Sequence, residues 1–279
     1  MKKIAFVFAT AALLAACTGN KPQEPAQTEE TEVAASTRAP KDLHESFEEQ
    51  QIKAGMSVQL DSLTAAWLRL EKSPLRVSIE DKTVTLSDDE KKVKPDYLIN
   101  PADIMDKLES LSLKYRAMVV MGLDKTVADL YEMPDTYSEP LSKLAAEVND
   151  PGVSYVMEHG ENSSEDLSKY YEIEEQNGRA NYFWESAATA IVEQVYLMTK
   201  NQDMFLKNFT DKDAEDITYR IVLLIHAYEE LSDYNLELRK LYNVLLPLEA
   251  IDAITVDQLR DQLNQIKAQV EQARATLFL

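Results

Sequence analysis

The chain has 279 residues, with 49 acidic side chains against 29 basic ones, a formal charge of −20 and a pI near 4.6. That excess of negative charge repels phosphate backbones and excludes nucleic acid as a partner. A single cysteine rules out a disulfide framework, and only six glycines and ten prolines argue against a β-rich fold with many tight turns.

Met1-Lys2-Lys3 opens the chain with positive charge, and Ile4 to Leu14 is an unbroken run of Ile, Ala, Phe, Val, Thr and Leu. That order of parts is the anatomy of a secretory signal peptide. As a helix the run rises only about 16 Å, roughly half the hydrocarbon thickness, too short for a permanent span. Leu14-Ala15-Ala16-Cys17 closes it and resembles the lipobox of bacterial lipoprotein precursors, in a Bacteroidota-like form. The resemblance implies cleavage between Ala16 and Cys17, diacylglycerol on the Cys17 thiol and acylation of the new amino terminus. Acyl chains contribute about 0.8 kcal/mol per buried CH₂, and two or more give stable attachment. In the lipoproteins of Proteobacteria an Asp after the cysteine favours inner-membrane retention. Thr18 therefore favours the outer membrane and leaves the face open. Loss of Lys2 and Lys3 with the leader leaves 27 basic against 49 acidic residues, a charge of −22.

Thr18 to Ala39 is rich in Thr, Gln, Glu and Ala, carries Pro22 and Pro25, and has almost no large apolar residue. It cannot bury enough surface to fold and is predicted to be a tether, spanning roughly 25–30 Å as a coil and at most about 80 Å extended. Glu24, Glu29, Glu30 and Glu32 loosely resemble the acidic surface-export signal of Bacteroidota lipoproteins. The organisation expected is a signal peptide at 1–16, a lipidated cysteine and tether at 17–39, and a helical domain at 40–279.

Within that domain Ile52, Met56, Leu60, Leu63, Trp67 and Leu70 form a helical stripe closed by Ser73-Pro74. Asp61-Ser62-Leu63 on this stripe resembles the short O-glycosylation acceptor of Bacteroidota. Val77, Ile79, Val84 and Leu86 alternate with polar residues, which predicts one β-hairpin over 76–86. Asn100-Pro101 is an N-cap followed by proline at the first helical position. The helix it predicts carries Ile104, Leu108, Leu111, Tyr115, Met118, Val127 and Leu130 and ends near Met133-Pro134. A shorter helix is expected from Pro140 to Val148, then an irregular stretch to Ser163. Helix resumes near Ser164, breaks at Asn177-Gly178 and continues from Ala180 to Lys200.

The C-terminal third has the clearest period. Ile217, Ile221, Leu224, Tyr228, Leu231, Asn235, Leu238, Tyr242 and Leu245 step by four and three, as do Val256, Leu259, Leu263, Ile266, Val270, Ala273 and Leu277. Thr255 with Gln258 predicts a capping box at the second start. Two heptad-like helices joined near Pro247 predict an antiparallel pair, with Asn235 on its seam. The fold class expected is mainly α, an antiparallel helical bundle with at most one small β-hairpin.

No motif selects a reaction. His44, His159 and His226 lack the spacing of a metal site, no Glu stands three residues before a His, and Gly-x-Gly, P-loop and Gly-x-Ser-x-Gly patterns are absent. No catalytic residue, metal or cofactor is therefore expected, although the abundant carboxylates leave an acid–base enzyme open. Tyr170-Tyr171 and Tyr182-Phe183-Trp184 flank the Gly178 break, where aromatics would line a sugar or peptide site. Core packing competes, because Phe183, Ala187, Ile191 and Val195 make a helical stripe. Two readings follow. The first is an envelope lipoprotein, membrane-bound through its lipid, whose non-catalytic domain binds or scaffolds another envelope protein. The second is an envelope hydrolase or small-ligand or glycan-capture protein using Tyr171, Tyr182 and Trp184 with Glu172, Glu174, Glu175 and Glu185.

Overall fold

Helix caps in the sequence set most of the architecture. The computed structural model describes residues 84–158, 167–233 and 236–278. The leader, Cys17, the tether, the 52–70 stripe, Asp61-Ser62-Leu63, His44, His159 and Asn235 lie outside them, as does the predicted hairpin except for Val84–Leu86. The fold is mainly α, and no strand occurs among the described residues.

Ser87 and Glu90 form a reciprocal capping box that starts α1 (Asp88–Lys92). Asn100 Oδ1 accepts from Ala102 N–H at 3.2 Å and Pro101 takes the first position of α2 (Pro101–Ile104). Here the structure corrects the single long helix expected from Pro101 to Met133. After a 3₁₀ turn at Met105–Lys107 the chain breaks, and Ser110 Oγ caps a separate helix, α3 (Leu111–Leu130). Glu132 at φ 52° and Met133 N–H donating to Ala128 O then end α3 in a left-handed cap.

Asp135 Oδ1 accepts from the amides of Tyr137 and Ser138 and starts α4 (Ser138–Val148), which Asn149 stops at φ 48°. The stretch expected to be irregular to Ser163 is helical in its first half. Asp150 caps α5 (Pro151–Glu158) by accepting from Gly152 N–H at 2.7 Å, with Pro151 at the first position. α5 packs on α6 (Leu167–Gln176). Gly178 at φ 68° ends α6, with Arg179 N–H donating to Glu174 O, and frees the chain to start α7 (Ala180–Lys200).

α7 packs against most of the other described helices. Rather than the one apolar stripe expected, it buries side chains all round, from Phe183 and Trp184 to Met198 and Thr199, as a helix enclosed by others must. Short α8 (Gln202–Phe205) turns the chain into α9 (Asp211–Leu231), started by a Thr210–Asp213 capping box. The expected continuous helix over 217–245 is corrected to a helical hairpin. α9 stops at Leu231 and α10 (Leu236–Leu245) packs back against it, with Arg239 donating to Ser232 O at 3.1 Å across the turn. The apolar stripe keeps its phase through Ser232-Asp233, which hid the break. A 3₁₀ turn at Leu246–Ala250 leads to α11 (Val256–Thr276). Thr255 Oγ1 caps α11 as expected, but Gln258 reaches one residue further back, to Ile254 N–H at 3.0 Å.

Cross-helix contacts fix the directions. Tyr115 meets Tyr182, Asp124 lies beside Glu193 and Tyr131 bonds Asn201, so α3 and α7 run parallel. Arg274–Glu193, Lys200–Glu271 and Arg260–Asp203 pair in reversed order, so α11 runs antiparallel to α7. One core cluster joins Val192, Val195 and Leu197 of α7 to Ile217 and Leu224 of α9, Leu241 of α10 and Leu263 and Val270 of α11. Among the described residues no helix is long and apolar enough to cross a membrane.

Candidate functional site

Three clusters of charged residues lie inside this core where α3 faces α7. Arg116 and Asp124 stand eight residues apart on α3, and Glu185 and Glu193 eight apart on α7. That spacing carries both pairs to matching depths, about 12 Å along the bundle.

At the amino-terminal end of α7, the Tyr115 and Tyr182 rings stack at 4.4 Å and 5°. The Tyr115 hydroxyl donates a hydrogen bond to Asp150, which also pairs with Arg179 Nη1 at 2.8 Å. Burial works against the charged form of Asp150, yet bonds from Tyr115, Arg179 and Gly152 hold its pKa below the usual value. Glu174, fully buried beside it, behaves oppositely. Burial, and then the like charge of Asp150, push its pKa up to about 8, so it is largely protonated at neutral pH. The space around its carboxyl is closed. A Cβ on Gly152 would overlap Glu174 Oε1 and come within 2.9 Å of the Tyr170 ring.

One level deeper, Arg116 is 2% exposed and joins four helices. Its guanidinium reaches Glu185 Oε2 on α7 at 3.3 Å and Glu237 Oε2 on α10 at 3.0 Å, and donates to Leu277 O just past α11 at 3.4 Å. Ser112 Oγ completes the ring by donating to Glu185 Oε1 at 3.1 Å. Burial raises the Glu185 pKa, with Arg116 opposing.

At the third level Arg274 of α11 donates from Nε to Glu193 Oε2 at 2.8 Å and from Nη2 to Asp124 Oδ2 at 3.1 Å. Ile99 N–H also donates to Asp124 Oδ2, at 2.6 Å. The Arg274 guanidinium lies 4.2 Å from the centre of the Tyr196 ring, a cation–π contact. Burial raises the pKa of both carboxyls, and the neighbouring Glu193 lifts Asp124 further, well above the usual carboxylate range. Below this, a cavity of about 400 Å³ opens among Val84, Leu86, Glu90, Tyr131, Met204 and Lys207.

Of the residues singled out in the sequence, Tyr171 and Trp184 lie in the core, both edge-on to Phe183 at 5.2 and 5.5 Å. Tyr182 is half-buried and faces Tyr115 instead, so the structure does not bring the three together around one space. Glu174 and Glu185 are buried, in separate clusters. Ala16 and Cys17 lie outside the described residues. His226 is exposed, with Nδ1 at 3.6 Å from Glu229. Among the described residues no three His, Cys, Asp or Glu side chains converge as a metal site would require. Arg116, Asp124, Asp150, Glu193 and Arg274 were missed. Glu193, inside Ile191-Val192-Glu193-Gln194-Val195, and Arg116, before Ala117-Met118-Val119-Val120, signalled themselves as charges in apolar runs, while Asp124, Asp150 and Arg274 stand near polar residues and gave no such signal. No family model, no curated protein and no solved structure matches the chain.

Proposed function

We propose that the chain is a lipid-anchored lipoprotein of the cell envelope, held at the outer membrane, whose helical domain is a non-catalytic binding or scaffolding module for another envelope protein. The lipobox-like Leu14-Ala15-Ala16-Cys17 and the polar stretch behind it support the anchor and the tether. The observation that carries the non-catalytic half is how the buried charges are used. Arg116, Arg179 and Arg274 each hold core carboxylates through bonds that cross from helix to helix, so these groups set register. Contact points for a partner are available outside. Tyr219 and Val222 stand one turn apart on the outer face of α9, 46% and 42% exposed.

Replacing Cys17 with Ser tests the anchor. The variant is expected to leave the membrane pellet or to accumulate unprocessed. A variant that still matures to full size and stays membrane-bound contradicts the reading.

A further inference from the structure

Charge does not balance at the third level of the core. Asp124 and Glu193 are both fully buried and share a single guanidinium, Arg274. Each carboxyl gives Arg274 one oxygen, and the others, Asp124 Oδ1 and Glu193 Oε1, have no separate donor. Held on one guanidinium, the two carboxyls stand beside one another, and two bare carboxylates supply no donor for those two oxygens. Among the described residues the remaining neighbours supply no second cation. Ile99 N–H donates to Asp124 from the segment before α2, and Tyr97 and Tyr137 stand near the pair as neutral phenols. Tyr196 presents its ring to Arg274, while Lys200 is taken up by Glu271 at 2.5 Å.

We propose that Asp124 and Glu193 form a buried one-proton site that fastens the C-terminal helix α11 to α3 and α7, and that losing this proton as pH rises loosens α11. With the proton in place the triad is neutral and every oxygen is used. Without it two negative charges face one another in the core with one cation between them, and the cost falls on Arg274, the member that α11 contributes. The unfolded chain ionises both carboxyls at ordinary acidic values. Above those values the folded state holds one proton more until the site releases it, and stability falls as pH rises.

Asp124→Asn tests this, because an amide keeps an acceptor for Ile99 and Arg274 and supplies a permanent donor to Glu193. Both the variant and its reference chain carry Glu174→Gln, which removes the separate titration of that residue. Denaturant unfolding of the full chain in detergent is measured from acidic to alkaline pH. The unfolding constant of the reference chain, which keeps Asp124, is expected to climb more steeply than that of the Asp124→Asn variant, by up to tenfold per pH unit for one proton. Parallel profiles overturn the proposal. Aspartate-selective carbon-13 labelling of the unsubstituted chain does not depend on the variant folding. One aspartate carboxyl is expected to titrate well above the usual carboxylate range, with amide exchange in α11 accelerating over the same range. Aspartates all ionised at ordinary acidic values, or α11 protection unchanged through the titration, overturn it as well.

Discussion

Gly152 shows how one missing atom shapes a cluster. Its backbone is helical, so alanine there gains up to about 1 kcal/mol in helix propensity. Against that, the new methyl overlaps the Glu174 carboxyl and crowds Tyr170, and Glu174 is fully buried with nowhere to retreat. Overpacking of this kind costs about 1–3 kcal/mol and wins. Gly152→Ala is expected to lower stability in denaturant unfolding. In a Glu174→Ala background the same change is expected to cost less, because only the contact with Tyr170 remains. A loss of equal size in both backgrounds means that the steric account is wrong. The sequence could not show this constraint, since Pro151-Gly152 after Asn149-Asp150 reads as turn chemistry. Nothing local reveals that a carboxyl from the next helix fills the space.

Helix ends were legible where a side chain caps its own turn, and helix breaks were not where an apolar stripe runs on across them. Asn100 and Thr255 precede their helices in the expected way, and Gly178 ends α6 as its left-handed φ demands. The break at Ser110 and the turn after Leu231 were hidden, because Leu108 and Leu111, like Leu231 and Leu238, stay in phase with a single helix. Arg116 shows what holds the separate elements together, since it contacts α7, α10 and the end of α11 from α3. Arg116→Met leaves Glu185 buried without its cation and is expected to cost about 3–5 kcal/mol. The double change Arg116→Met with Glu185→Leu removes both charges and is expected to recover most of that loss. A double variant no more stable than the single one would show that Glu185 is not the group left unpaired.

At the scale of the whole molecule, the mainly helical character followed from period and composition, while the parallel course of α3 and α7 did not. Parallel neighbours need an intervening excursion, and here α4, α5 and α6 supply it. Their short stripes and the turn chemistry of Asn149-Asp150 gave no hint of where they return. The Tyr171, Tyr182 and Trp184 grouping was legible as a cluster of aromatics, but which face each takes depended on tertiary contacts with Phe183 and Tyr115. The central claim concerns where the domain is held, and it rests on Cys17 as the sole cysteine at the end of the apolar leader. Mass spectrometry of the amino-terminal peptide from membrane-bound protein tests it most directly. A peptide that begins at Cys17 and carries the mass of a diacylglycerol thioether with an acylated amine is the predicted result. A peptide with an unmodified Cys17, or one that begins elsewhere, would contradict it.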